Sequence, residues 1–150
     1  EFGFPEFLVR PQIGDELLGH RMARSFQQAF SEGADAVVLT GSDIPGLTMP
    51  IIHQAFSALE QPNGASDGLG VIGPATDGGY YLIGMRAPGA DLFDGIAWST
   101  NTVLTATHQQ AVEQHIRLTT LPQLSDIDIE ADYAEWIQAA RQNCPDPDTP

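Results

Sequence analysis

Lysine is absent from this chain of 150 residues: all six positive residues are arginine, against 20 aspartates and glutamates, for a formal net charge of −14. With no lysine there is no Schiff-base lysine, no lysine general base and no phosphate-binding lysine of a P-loop. Cysteine is almost as scarce. The single Cys144 cannot close an internal disulfide, which permits a reducing compartment. No apolar run approaches the ~20 residues of a membrane span, and no basic segment followed by an apolar stretch opens the chain. The expectation is a cytoplasmic protein with no membrane partner. A pI near 4.2 also argues against nucleic acid, whose binding rests on clustered Lys and Arg.

Several catalytic signatures are missing too. His20, His53, His108 and His115 form no H-E-x-x-H, and Ser42 lacks the G-x-S-x-G elbow, so neither catalytic zinc nor a hydrolase triad is supported. Gly68-Leu-Gly-Val-Ile-Gly73 satisfies G-x-G-x-x-G. The dinucleotide fingerprint needs those glycines in a turn between strand and helix; here they lie within an apolar strand pattern and Pro74 follows.

What is present is an alternation of helical and strand patterns. Leu18, Met22, Phe26 and Phe30 recur every four positions between Asp15 and Gly33, predicting an amphipathic helix with Asp15 as cap and Gly33 as stop. Residues 36–40 read as a buried, parallel strand. Thr48 and Pro50 open a second helix carrying Ile52, Phe56 and Leu59, ended by the loop 62–68. Residues 69–73 and 80–84 predict strands, separated by the irregular Pro74-Ala-Thr-Asp-Gly-Gly79. A third helix is expected from Ser99 to about Gln114 and a half-exposed strand over 115–120. The last helix is expected from about Ile129 to Gln142, with Tyr133, Trp136, Ile137 and Ala140 inward and Glu130 and Asp132 in its first turn. Together these predict an α/β domain over residues 1–144, with a mostly parallel, mixed sheet flanked by helices, and a tail at 145–150. Ligands of such sheets bind beyond the carboxyl ends of the strands.

Three segments there carry candidate chemistry. In Gly41-Ser-Asp-Ile-Pro-Gly46, Asp43 either ligates a hard cation such as Mg²⁺ or closes an Asx turn. In Ser125-Asp-Ile-Asp-Ile-Glu130, alternation turns Asp126 and Asp128 the same way, toward one metal, unless Asp128 caps the last helix. In Asp77-Gly78-Gly79-Tyr80-Tyr81, the paired glycines let backbone approach a ligand closely, or form a plain tight turn headed by an aspartate. Of the two tyrosines one should enter the core and the other line a cleft.

These strings, with Leu18-Gly-His-Arg-Met22 and Gly95-Ile-Ala-Trp-Ser-Thr100, stand in an order that resembles a bacterial family of glycosyltransferase-like proteins of GT-A fold, related to the molybdenum-cofactor and phospholactate guanylyltransferases. The likeness covers residues 12–135. It implies a nucleotide-diphospho-sugar transferase architecture with Mg²⁺ or Mn²⁺ held by Asp43, Asp126 and Asp128. It also implies substrate contacts from Ser42, Pro45, Gly78, Gly79 and Tyr80 and an acceptor wall at Trp98, Ser99 and Thr100; Asp77, in the same pocket, is then the candidate general base for an acceptor hydroxyl.

The implied activity is transfer of a sugar from a nucleoside diphosphate to a small acceptor. Two alternatives stay open: a nucleotidyltransferase releasing pyrophosphate, and a non-catalytic nucleotide-binding or assembly domain. Family members open with a strand and a basic, glycine-rich loop, and nothing like it precedes Phe2. The chain starts at Glu1 without a methionine, so the expectation is a fragment or a shortened homologue lacking the first strand. An exposed sheet edge would then allow a homodimer.

Overall fold

Pro74 and Tyr80 pair across five intervening residues, far fewer than the dozen or so that a crossover between parallel strands requires. The chain must therefore reverse there, and it does. The computed structural model describes residues 17–60, 68–87, 90–127 and 130–143. In it β1 (Val37–Thr40), β2 (Gly68–Pro74), β3 (Tyr80–Met85) and β4 (Ile116–Thr120) form one sheet in the order β1-β3-β2-β4. β3 is antiparallel to both β1 and β2, and β4 is parallel to β2. The sheet is thus mixed, with β1, β2 and β4 all running one way. β1 shares that direction, as expected of residues 36–40, but the strand it bonds to is the reversed β3.

The pleat distributes two cores. Ile72 and Ile83 turn to one face, where Phe26 of α1 (Leu18–Ser31), Leu92 and Phe93 of a short 3₁₀ helix (Ala90–Phe93) and Ala111 of α3 (Val103–Glu113) cover them. Val71 and Leu82 turn to the other, under Ala55 and Leu59 of α2 (Met49–Glu60). The 3₁₀ helix carries no periodic signal in the sequence, yet Leu92 and Phe93 are fully buried.

Helix ends differ in places from expectation. α1 opens at Leu18 with Leu17 at the N-cap and no side-chain cap; Asp15 lies outside the described residues. It closes as the glycine pattern predicts: Gly33 adopts φ +96°, its N–H reaches Phe30 O at 3.0 Å and the Ala34 N–H reaches Ala29 O at 3.1 Å, a Schellman arrangement. α3 starts at Val103, not Ser99, because residues 97–102 form a hydroxyl-bonded loop instead. β4 starts at Ile116, since His115 takes φ +56°. α4 (Glu130–Asn143) forms where expected, but Tyr133 and Trp136 are 50% and 41% exposed and tilt against one another at 6.1 Å. They are not inward. The loop 62–67, Asp128, Ile129 and the tail lie outside the described residues. Among the described residues, no helix is long and apolar enough to cross a membrane.

Candidate functional site

The carboxyl ends of β1, β2 and β4 and the start of β3 meet at one edge of the sheet. The loops that leave this edge are the ones rich in Gly, Pro and Asp. After β1, the Gly41 N–H still pairs with Tyr81 O at 2.9 Å. The Asp43 carboxylate then folds back over Gly41, where a Cβ would stand 2.8 Å from Oδ1. Ile44 is buried as an anchor, and the Leu47 N–H closes a turn onto Ile44 O at 3.0 Å, with Pro45 at the position that its fixed φ suits.

After β4 the chain is tied down repeatedly. The Leu121 N–H bonds Ile72 O at 2.8 Å, Leu124 N–H bonds Pro74 O at 3.1 Å and Thr76 N–H bonds Leu124 O at 3.0 Å. The Tyr81 hydroxyl donates to Pro122 O at 2.9 Å, and Gln123 Nε2 to Ala75 O at 3.2 Å. Finally the Ile127 N–H bonds Asp43 O at 3.0 Å. That last bond places the segment bearing Asp126 directly beside the segment bearing Asp43.

Between β2 and β3, Asp77 heads an Asx turn: its Oδ1 accepts the Gly79 N–H at 2.8 Å. Gly78 takes φ +93° and its carbonyl accepts the Leu104 N–H at 2.9 Å, so the turn is fastened to the first turn of α3. A Cβ on Gly78 would run into the Asn101 backbone.

The fourth wall is aromatic. Trp98 meets Tyr80 edge to face at 6.5 Å and Phe93 at 6.5 Å, and its indole rests on Gly19 of α1, where a Cβ would fall 2.8 Å from Cζ2. Ser99 adopts φ +62°, an uncommon conformation for a residue other than glycine. Thr100 Oγ1 donates to Ala97 O at 2.7 Å and lies 2.8 Å from Thr102 Oγ1. The Tyr80 hydroxyl donates to Met22 Sδ at 4.0 Å. Burial pushes its phenol well above the usual range, and a bond to Thr107 works the other way.

These elements enclose a cavity of about 400 Å³, within the range of small-molecule sites. Asp43, Asp77, Gly79, Tyr80, Trp98, Ser99, Thr100 and Asp126 all line it. Ser42, Pro45 and Gly78 do not: Pro45 and Gly78 shape the loops from behind, and Ser42 is exposed. Asp128 lies outside the described residues. Sequence reasoning assigned no site role to Leu18, Met22 and Ser25, which α1 presents to the cavity, or to Thr40 and Val103. The spacing of Leu18 and Met22 was visible, but as a core stripe. Among the described residues no group of three or more His, Cys, Asp or Glu side chains is placed to hold a metal ion. Asp43 and Asp126 still offer oxygen donors from adjoining segments, the chemistry that Mg²⁺ and Mn²⁺ accept.

Residues 2–100 match the model of a family described as uncharacterized protein conserved in bacteria, DUF2064. A crystal structure at 1.90 Å of a protein from Desulfovibrio desulfuricans G20, provisionally named a nucleotide-diphospho-sugar transferase, is similar to this chain with 35% identity and a TM-score of 0.78. The match covers 88% of this chain and 55% of that one, so the chain spans little more than half the length of this relative. No curated protein matches it.

Proposed function

We propose, from the premise that the chain belongs to the bacterial family DUF2064, that it carries the acceptor side and the metal-binding carboxylates of a transferase acting on a nucleoside-diphosphate sugar. One observation carries this reading: three loops at the carboxyl edge of the sheet bring Asp43, Asp77 and Asp126 into one cavity, with the first and last loops joined by the Ile127–Asp43 backbone bond. The similarity to a protein named as such a transferase supports it.

In this reading Asp43 and Asp126, with Asp128 by the family resemblance, hold Mg²⁺ or Mn²⁺, which when bound neutralises charge on the diphosphate leaving group. Asp77 receives the proton of the acceptor hydroxyl. Its Oδ1 accepts the Gly79 N–H, which leaves Oδ2 for that task. The acceptor oxygen forms its bond to the anomeric carbon, the bond from that carbon to the diphosphate oxygen breaks, and the nucleoside diphosphate leaves with the electron pair. The aromatic wall positions the acceptor beside Asp77.

Isothermal titration with a panel of nucleotide sugars in Mg²⁺ tests the proposal. The wild-type chain should bind at least one of them, and Asp43→Ala should weaken that binding at least about tenfold, the scale on which disturbing a metal's ligand shell acts. Unchanged affinity and metal dependence in Asp43→Ala would refute the assignment. Release of pyrophosphate in place of a nucleoside diphosphate would move the chemistry to nucleotidyl transfer.

A further inference from the structure

We infer that the acceptor taken by this cavity is an unphosphorylated molecule, neutral or cationic, that presents a flat apolar ring face; the inference rests on the transferase reading above. The described lining divides into two kinds of wall. One carries the carboxylates Asp43, Asp77 and Asp126, and neither an arginine nor a histidine accompanies them there. With Asp43 and Asp126 assigned to the cation, Asp77 remains as the charge that an acceptor meets. The anchoring of Gly78 onto α3 through the Leu104 N–H holds the Asp77 turn beside the loop that carries Trp98, Ser99 and Thr100.

The second wall is apolar and braced. Trp98 is backed by Phe93 and by the bare backbone of Gly19, and its edge-to-face contact with Tyr80 locks both rings. Met22 sulfur and Thr107 take up the Tyr80 hydroxyl, so Tyr80 offers a ligand its ring more than its phenol. Leu18 and Val103 extend the surface. A stacking surface whose rotamers are already fixed loses little entropy when a flat ligand lies on it. An ammonium beside such rings gains further from their quadrupoles and from Asp77. A phosphate or carboxylate on the acceptor would face Asp77, which is exposed, so the repulsion is screened by solvent, but the described lining offers no arginine or histidine to offset it. The cavity therefore favours an acceptor without a phosphate over its phosphorylated counterpart.

Three ring-matched probes separate the possibilities: 2-phenylethanol, 2-phenylethylamine and 2-phenylethyl phosphate, each titrated with Mg²⁺ but without donor and followed by tryptophan emission. The chain has two tryptophans, and a Trp136→Phe background leaves Trp98 as the reporter. The alcohol and the amine should saturate, the amine at least as tightly, and the phosphate should bind at least tenfold more weakly. Asp77→Asn, whose amide oxygen can still accept the Gly79 N–H, should bring the phosphate to within threefold of the alcohol. Equal or tighter binding of the phosphate to the wild-type cavity overturns the inference, as does an alcohol that fails to bind. A parallel titration with nucleotide sugars and Mg²⁺ keeps the two ideas apart. Ring discrimination without any donor binding strikes down the transferase reading alone, and donor binding without ring discrimination strikes down the acceptor class alone.

Discussion

Tyr80 and Tyr81 are adjacent, and both hold their protons beyond the ordinary phenol value of about 10 because burial disfavours the phenolate. The native state therefore keeps protons that an unfolded chain releases. The stability tied to these two groups is fully present below about pH 10 and declines as pH rises above it. Of three tyrosines in the chain, the absorbance of two should lag in a native alkaline titration. Near pH 11 the native phenolate signal should fall short of that of the urea-unfolded chain by about one group from Tyr80, with a further deficit from Tyr81, and superimposable curves would contradict the burial of the pair. Single residues also show what a sequence hides. Asp77 was open to two readings, turn former or reactive group, and the structure makes it both a turn former and a cavity residue. An Asx turn uses one carboxylate oxygen and leaves the other, so the two readings never excluded each other. Ser99 is a different case: nothing in its side chain signals φ +62°, which the bonded loop around it imposes.

Between elements, the decisive joints are made by backbone. Gly78 couples the turn after β2 to the start of α3, and it meets two obstacles to replacement at once: a positive φ and the Asn101 backbone in the space a Cβ would fill. Gly78→Ala should therefore cost about 2–4 kcal/mol, combining strain with a forced shift, as read by urea unfolding. Gly95→Ala, at φ +69° with open space around it, should cost about 1–2 kcal/mol. Equal losses at the two sites would mean that the α3 joint adds nothing. The element types were readable from periodicity and punctuation because each has a surface of contrasting polarity. The pairing partner of β1 differs from expectation, since an apolar run looks the same beside a parallel or an antiparallel neighbour; nor is the strand buried throughout, for it lies at the edge of the described sheet and only Val37 is buried. The short span from Pro74 to Tyr80 already demanded the reversal. Tyr133 and Trp136 face solvent although their helical spacing predicts them inward, because an aromatic stripe does not say whether anything covers it.

Across the whole molecule, −14 charges with no lysine oppose compaction, and the described cavity lining adds three carboxylates to one small space. Screening over a Debye length of about 10 Å should relieve that repulsion. Raising NaCl from about 0.02 to 0.2 M should lift the thermal midpoint by about 2–4 °C, corresponding to ~1 kcal/mol. A midpoint that falls or stays constant by calorimetry would show that the carboxylates are already compensated. The site as a set of three loops could be read from the sequence, because each loop joins a carboxylate to Gly or Pro just past a strand. The aromatic wall could not, since Trp98 on Gly19 is a contact between distant parts of the chain that no local pattern encodes. The Ile127–Asp43 bond has a consequence for how the molecule comes into being. The β2–β3 hairpin closes a short loop and can form within microseconds, whereas this bond joins the ends of a much longer loop and waits on non-local pairing, which is slow. The cavity is therefore expected to be completed after the β2–β3 hairpin, and a chain with only that hairpin formed would lack the Asp43 and Asp126 walls. Any ligand that occupies it adds its binding free energy to the finished fold alone.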